Sequence, residues 1–438
     1  MQALVIAPQP FFSPRGTPFS VYYRTLVLAK LGVKVDLLTY GEGQDVEIPG
    51  VRIIRIPRFP FLPPVKVGPS LVKIFLDAFL VLWTVALLLR RRYDYVHAHE
   101  EAVFFCRFLK PLFRFQLVYD MHSSLPQQLS NFNFTTSRML IGAFARLEKQ
   151  CLAGADAVIT ICPDLADYAE PLMPDPRRHF LIENSIFDEV RLRAGQAGLS
   201  EGTADITLPQ GEPVIVYAGT FESYQGLDVL IRAFGRVRQK LPEALLVLAG
   251  GTAKQIEAMQ NLAQEIGVQE GCVFTGRIAP AQVKCLLRQA TMVVSPRVQG
   301  TNTPLKIYEL LAGGIPLVAT RIYSHTQVLD DDVCFLVEPE PESMAIGILT
   351  AWRDPELRAR LAESARLLYA ERYSREAYET KVRRMLHVLA GLPQAKPQVA
   401  VEPEVATAGE ASYLLEGNEV LDGRAFPAIA AARKGRPI

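Results

Sequence analysis

The sequence predicts an α/β protein of two doubly wound domains that face one another across a cleft. Short apolar runs alternate with helix-length segments, which implies parallel strands joined by crossovers. The alternation stops at a polar, glycine-containing stretch near 194–212 and then starts again. In both halves the apolar runs end at loops rich in Gly, Pro and Ser, and open parallel sheets take their ligands in the crevice outside the carboxyl ends of the strands.

In the first half, strands are read at ALVIA (3–7), VDLLTY (35–40), VRIIRI (51–56), DYVHAH (94–99), QLVYDM (116–121) and AVITI (157–161), with a helix near 18–31. In the second they are read at VIVYAG (214–219), LLVLAG (245–250), CVFTG (272–276), MVVSP (292–296), PLVAT (316–320) and CFLV (334–337), with a helix from about 226. Helical periodicity resumes from about 340 to 391. The expected boundaries are a first domain over 1–190, a linker over 191–212, a second domain over 213–392 and a flexible tail over 393–438. That tail is rich in Pro, Ala and Glu and has no core-forming period.

The 438 residues are 49% hydrophobic and 21% charged with a formal net charge of +1, which argues against a protein that binds nucleic acid along a broad basic surface. Six cysteines (Cys106, Cys151, Cys162, Cys272, Cys285, Cys334) form no C-x-x-C pair. Neither a zinc site nor a disulfide framework is indicated, and a reducing cytoplasm fits. MQALVIAPQP lacks a basic n-region and reads as a first strand rather than a secretory signal, so the chemistry is expected in the cytosol.

SLVKIFLDAFLVLWTVALLLRRRYD (70–94) approaches the roughly twenty apolar residues of a spanning helix. Lys73 and Asp77 interrupt it early, however, and the crossover pattern needs a helix here, so a span would break the sheet. Two readings stay open, a helix buried against the sheet and a helix with one face on a bilayer. Arg90, Arg91 and Arg92, with basic and aromatic KPLFRF at 110–115, suit the second. The expectation adopted is peripheral contact with the inner face of a membrane through 70–92 and 110–115.

VVSPRVQGTNTPLKIYELLAGGIPLVAT (293–320) reads as strand, loop, helix, turn, strand. Pro304 suits the first helical turn and Gly313–Gly314 the far end. Backbone N–H groups between Asn302 and Lys306, with the positive end of the helix dipole, make an anion site. Lys306 can add a full charge to a phosphate. Glu309, three residues along the same face, has a use there only if hydroxyls such as those of a ribose lie between it and the phosphate. The alternative is a solvated i, i+3 pair. DDD at 330–332 formally contains a D-x-D pattern but is read as a solvated turn.

PLKIYELLAGGIPLVAT resembles the signature of glycosyltransferase family 4, whose members have the GT-B fold. VIVYAGTFESYQGLDVLIRAF is similar to the first strand and helix of the family's C-terminal domain, and VFTGRI, ATMVVSP and LIENSI to its strand-end segments. The likeness spans roughly residues 2–390. It implies two Rossmann-like domains, with a C-terminal helix returning to the first. It also implies transfer of a hexosyl-type unit from a nucleoside diphosphate sugar, with retention of configuration and without a metal or other cofactor. The acceptor would be a sugar or lipid-linked hydroxyl, as in cell-envelope polysaccharide precursors.

PFFSPRGTPFSVYYRTLVLAKLGVKV resembles the family's glycine-bearing loop, where Gly16 lets the backbone approach the donor. His122 follows QLVYDM at a strand end where the family's histidine meets the donor sugar. His99 and Glu100, ending HAHE, could line the acceptor side, and Asp120 could orient neighbouring loops. The resemblance thus gives His122, Lys306 and Glu309 the catalytic work. It sets Gly16, Thr220, Arg297, Thr301, Asn302, Thr303, Pro304 and Leu305 around the donor.

Three positions depart from the pattern. Thr301 stands where the family often has a sugar-facing glutamate, and Thr220 and Gln225 stand where it commonly has Arg and Lys against the diphosphate. Arg297, Lys306 and Arg15 are the candidates to compensate. A nucleotide-sugar epimerase of the same fold, or a catalytically silent nucleotide-binding partner of a membrane assembly, are the alternatives.

Overall fold

The computed structural model describes residues 1–12, 16–63, 65, 70–124, 138–183 and 207–392; Arg15, the expected tail and most of the expected linker lie outside the described residues. Two wholly parallel sheets form. The first has seven strands: β1 (Gln2–Ala7), β2 (Lys34–Thr39), β3 (Val51–Arg55), β4 (Tyr95–His99), β5 (Gln116–Met121), β6 (Ala157–Thr160) and β7 (His179–Leu181), in the order β3-β2-β1-β4-β5-β6-β7. The second has six: β8 (Val214–Ala218), β9 (Leu245–Ala249), β10 (Cys272–Gly276), β11 (Met292–Ser295), β12 (Leu317–Thr320) and β13 (Phe335–Val337), in the order β10-β9-β8-β11-β12-β13.

These strands read as continuous apolar runs because helices cover both faces of a parallel sheet; Ala3 through Ala7 have no exposed surface. In both sheets the order reverses beside the first strand, between β1 and β4 and between β8 and β11. Such a switch point opens a crevice at the carboxyl edge.

Twelve strands match the apolar runs of the sequence. The thirteenth, β7, was missed because it has only three residues, of which Phe180 alone is buried. Pro304 is corrected by one position: its backbone is extended (φ −66°, ψ 131°) and the helix runs from Leu305 to Gly313. Its carbonyl still accepts from the Ile307 N–H at 2.9 Å and so closes the first turn.

The Arg375–Leu389 helix leaves the second domain and packs on the first. Tyr378, Val382, Met385, Leu386 and Leu389 join the core formed by the Gly16–Lys30 helix and one face of the first sheet. The Tyr23 and Tyr378 rings meet edge to face at 4.9 Å, and Lys381 Nζ lies 2.6 Å from Glu183 Oε2. Met385→Ala, at a position with no exposed surface, is expected to destabilise the protein by about 2–5 kcal/mol. Arg383→Ala, on the outer side of the same helix, should change stability by less than about 0.5 kcal/mol. Urea unfolding of the two variants measures the difference.

Candidate active site

At the carboxyl edge of the first sheet, His97 and His99 on β4 and Asp120 on β5 share one face, because His99 is in register with Asp120 and side chains alternate along a strand. His122 follows at the next like position, just past β5. Asp120 is fully buried and is the meeting point. Its Oδ2 lies 2.8 Å from Arg24 Nε, 2.8 Å from His97 Nε2 and 3.3 Å from His99 Nδ1, and its Oδ1 lies 3.3 Å from His122 Nε2. His99 Nδ1 and His122 Nε2 are themselves 3.1 Å apart. Burial alone would raise the Asp120 pKa, but Arg24, His99 and His122 hold it well below the usual carboxylate range. Burial pushes His97 and His99 down, so both are neutral near pH 7.

The ligand atoms of His97, His99 and Asp120 lie within 4.8 Å of one another, close enough to share a metal ion. The Arg24 guanidinium against the same carboxylate oxygen already supplies the cation, so the geometry suits an ion-pair hub better than a metal centre. Arg24 belongs to the helix that begins at Gly16, and its bond to Asp120 ties that helix to the carboxylate beside His122.

At the carboxyl edge of the second sheet, the Leu305–Gly313 helix opens beside β8 and β11. Lys306 Nζ is buried without a hydrogen-bond partner among the described residues, 4.3 Å from the centre of the Tyr217 ring. The solvated pair with Glu309 is therefore not what forms; Glu309 is partly buried three residues further along the helix. Burial, with the Arg297 charge as a second cause, pushes Lys306 down from 10.5 to about 7.

Arg297 holds the loop that leads into this helix. Its Nε donates to the Gln299 carbonyl at 2.6 Å, its Nη1 donates to the Asn302 carbonyl at 3.3 Å, and its guanidinium lies over the Tyr224 ring at 5.2 Å. Gly300 sits against this guanidinium at φ +127°, where a Cβ would come within 2.0 Å of Nη2. Thr301 and Asn302 are exposed, and Thr303, Pro304 and Leu305 are half-buried. Thr220 is exposed, and its carbonyl accepts from Tyr217 Oη at 2.7 Å. Gln225 is buried and precedes Gly226, whose left-handed backbone (φ +68°) passes so close to the Pro296 carbonyl that a Cβ would meet it at 2.1 Å. Asp330, Asp331 and Asp332 lie in an exposed turn, Asp331 paired with Arg321.

The two edges meet. Gln327 accepts from the Asp164 N–H at 3.0 Å and donates to the Thr301 carbonyl; Tyr323 Oη donates to Asp164 Oδ1 at 2.9 Å, and Cys162 Sγ lies 3.8 Å from Asn302 Oδ1. The start of the Pro163–Ala169 helix in the first domain is thus fastened to the 299–304 loop of the second. The structure brings His122 to one edge and Lys306, Arg297 and the 301–305 segment to the other. Sequence reasoning missed Arg24, Tyr217, Tyr224, Asp164 and Gln327. H-x-H beside D-x-H was a legible signal for the hub, whereas single Tyr and Gln residues carried none.

Two family models match the chain: "Glycosyl transferase 4-like domain" over residues 26–185 and "Glycosyl transferases group 1" over residues 201–368. The D-inositol 3-phosphate glycosyltransferase of Corynebacterium efficiens is 24% identical over 374 residues, covering 81% of this chain and 86% of its own. Sucrose-phosphate synthase from Thermosynechococcus elongatus has a similar structure, with a TM-score of 0.66 at 19% identity, over 89% of this chain and 99% of that one. So has Anabaena HepE, solved in complex with UDP-glucose, with a TM-score of 0.60 at 17% identity, over 90% and 100%.

The depressed lysine makes a testable statement about stability. Below about pH 7 Lys306 is charged in both folded and unfolded chains, and its burial costs the fold in full. Between about 7 and 10.5 only the unfolded chain stays charged, and the cost fades as pH rises. Lys306→Met is therefore expected to raise Tm by several degrees at pH 6, with the gain shrinking steadily toward pH 9.5. Thermal denaturation across that range checks it; a gain independent of pH would mean the ammonium is not desolvated.

Proposed function

We propose, from the premise that this chain belongs to the family 4 type of GT-B glycosyltransferases, that it moves a hexosyl unit from a nucleoside diphosphate sugar to an acceptor hydroxyl with retention of configuration. The observation that carries the donor side is the buried Lys306 ammonium, unpartnered beside a second cation at the opening of a helix. Taking one cation out of water without an acid partner is costly. A diphosphate reaching both Lys306 and Arg297 repays that cost. It also gains the N–H groups and dipole of the Leu305–Gly313 helix.

Glu309, one turn deeper, accepts hydrogen bonds from the ribose hydroxyls. The 299–304 loop, fixed by Arg297 and Gln327, then presents Thr301 and Asn302 to the sugar, and neutral polar groups in place of a carboxylate would set the preference among sugars. In the transfer, the acceptor oxygen bonds to the anomeric carbon on the face from which the diphosphate leaves. The carbon–oxygen bond to phosphate breaks, and the departing phosphate oxygen takes the acceptor proton. Charge developing on that oxygen meets donors already in place, which is where most of the barrier reduction arises. The helix end and the two cations do this work, so the reaction is written without a metal. His122, its Nε2 anchored on Asp120 and His99, has Nδ1 left for a sugar hydroxyl and serves to position it.

The same lysine supplies the test. Above pH 7 free Lys306 is largely neutral, and a bound diphosphate restores its charge, so donor binding at pH 8 should take up close to one proton and weaken as pH rises. Calorimetry with UDP-, GDP- and ADP-sugars in buffers of different ionisation enthalpy reads this uptake. Lys306→Met should abolish it and cost about 10–100-fold in affinity, the worth of a desolvated charge-assisted contact. Glu309→Ala should weaken nucleotide binding by about tenfold while the proton uptake stays. Proton NMR of the product anomer decides retention against inversion.

A further inference from the structure

We propose that the face of the first domain formed by the Leu71–Arg90, Ala102–Phe113 and Arg138–Gly154 helices docks on an anionic lipid bilayer. Its acceptor is therefore a lipid-linked molecule presented from that surface. The three helices lie side by side over one face of the first sheet and share a core beneath them. The 20-residue Leu71–Arg90 helix is long and apolar enough to cross a membrane, yet only 22% of its most apolar stretch is buried.

Its amphipathicity is inverted. The polar residues face inward: Lys73 pairs with Glu101, and Asp77 accepts from Tyr40 Oη at 2.6 Å. The bare face carries Leu71, Ile74, Phe75, Leu82 and Leu89, a stripe about 27 Å long at 1.5 Å per residue. Phe108, Leu112 and Met139 extend it across the two neighbouring helices. Of fifteen large apolar side chains exposed among the described residues, these eight lie on this one face.

Charge selects the occupant. The acids of these helices point inward: besides Asp77 there is Glu148, fully buried and accepting from Ser124 Oγ and Tyr168 Oη at 2.8 Å each. Among the described residues of these helices the exposed charged side chains are Arg90, Arg146 and Lys149; Arg91, Arg92 and Arg114 stand just beyond the helix ends, where Arg91 Nη1 lies 3.9 Å from Asp36 Oδ2 and the exposed Asp94 accepts from the Gln2 N–H at 2.7 Å. An apolar stripe whose helices expose cations and, among the described residues, no acid suits insertion among the headgroups of anionic lipid. The expected KPLFRF patch contributes only in part, since Lys110 is tied to Asp156 at 2.6 Å and Phe115 is buried, leaving Leu112 and Arg114 outside.

Lys73 and Asp77, near the start of the docking helix, bond to residues just past the carboxyl ends of β4 and β2, the edge that also carries His122. A docked molecule therefore holds that edge near the headgroups. The docking needs nothing from the transferase reading; the acceptor class rests on it.

Flotation of the full chain with vesicles tests the docking. Binding is expected to vesicles of 30% phosphatidylglycerol in phosphatidylcholine at low salt, and little to phosphatidylcholine alone. Each basic residue near such a surface is worth roughly fivefold, so Arg90→Glu with Arg146→Glu and Lys149→Glu should lose at least about 100-fold. Ile74→Ser with Leu82→Ser should leave only weak, salt-sensitive binding. All five positions are exposed, and circular dichroism verifies that the variants fold. Absence of binding, or binding that neither variant weakens, overturns the proposal. So does a dimer in light scattering that Ile74→Ser with Leu82→Ser dissolves, because a second copy would then own the face. Vesicle binding without nucleotide-sugar binding would sink the transferase reading and leave the docking intact.

Discussion

The Asp120 carboxylate is the interaction on which the first domain's edge depends. A charge with no exposed surface survives only if its neighbours satisfy it, and here one arginine and three histidines do so. They come from three parts of the chain: Arg24 from the first helix, His97 and His99 from β4, His122 from the end of β5. Arg24 also lies over the ring of Tyr378 at 5.7 Å, so the returning C-terminal helix closes over the same group. Losing the carboxylate would leave a buried guanidinium uncompensated, a cost of several kcal/mol in its own right. The place of His122 is therefore fixed by electrostatics as much as by packing.

The second domain shows the opposite condition. Lys306 and Arg297 are two neighbouring cations with no acid paired to either among the described residues, and burial first, with Arg297 second, lowers the lysine. Thr320, Ser295 and His325 are bonded to one another and to the strand ends behind Arg297, and burial pushes His325 down to about 4, so it adds no charge. One edge thus balances its charge internally, while the other leaves two cations without a paired acid among the described residues. That asymmetry supports a donor on the second domain and leaves the first for the acceptor.

Most of the fold was legible because strands of a parallel sheet covered on both faces are mainly apolar, and twelve of thirteen show it as short apolar runs, some broken by one polar residue such as Asp36 in β2 or Asp120 in β5. The Leu305–Gly313 helix was legible too, since Pro304 and Gly313–Gly314 bracket it chemically. What stayed hidden depends on long-range placement. Nothing local marks Tyr217 as the ring beneath Lys306 or Gln327 as the tie between domains, for their partners lie 89 and 163 residues away in sequence. Arg24 was hidden for the same reason: on a helix of apolar neighbours it reads as one surface cation, and only the folded sheet shows that it is buried.

The Leu71–Arg90 helix shows why hydropathy alone does not tell a crossover helix from a span. A crossover helix of a soluble sheet and a spanning helix are both about twenty residues of mainly apolar side chains, so length and composition agree for either. What separates them is the direction of the few polar groups. In a soluble helix they face water and mark the outside. Here Lys73 and Asp77 face the sheet, where Glu101 and Tyr40 satisfy them, and the outside is left apolar. A span would strip both residues of these partners inside the bilayer and remove the crossover that joins β3 to β4. A helix with one face sewn to the sheet and the other in headgroups costs neither.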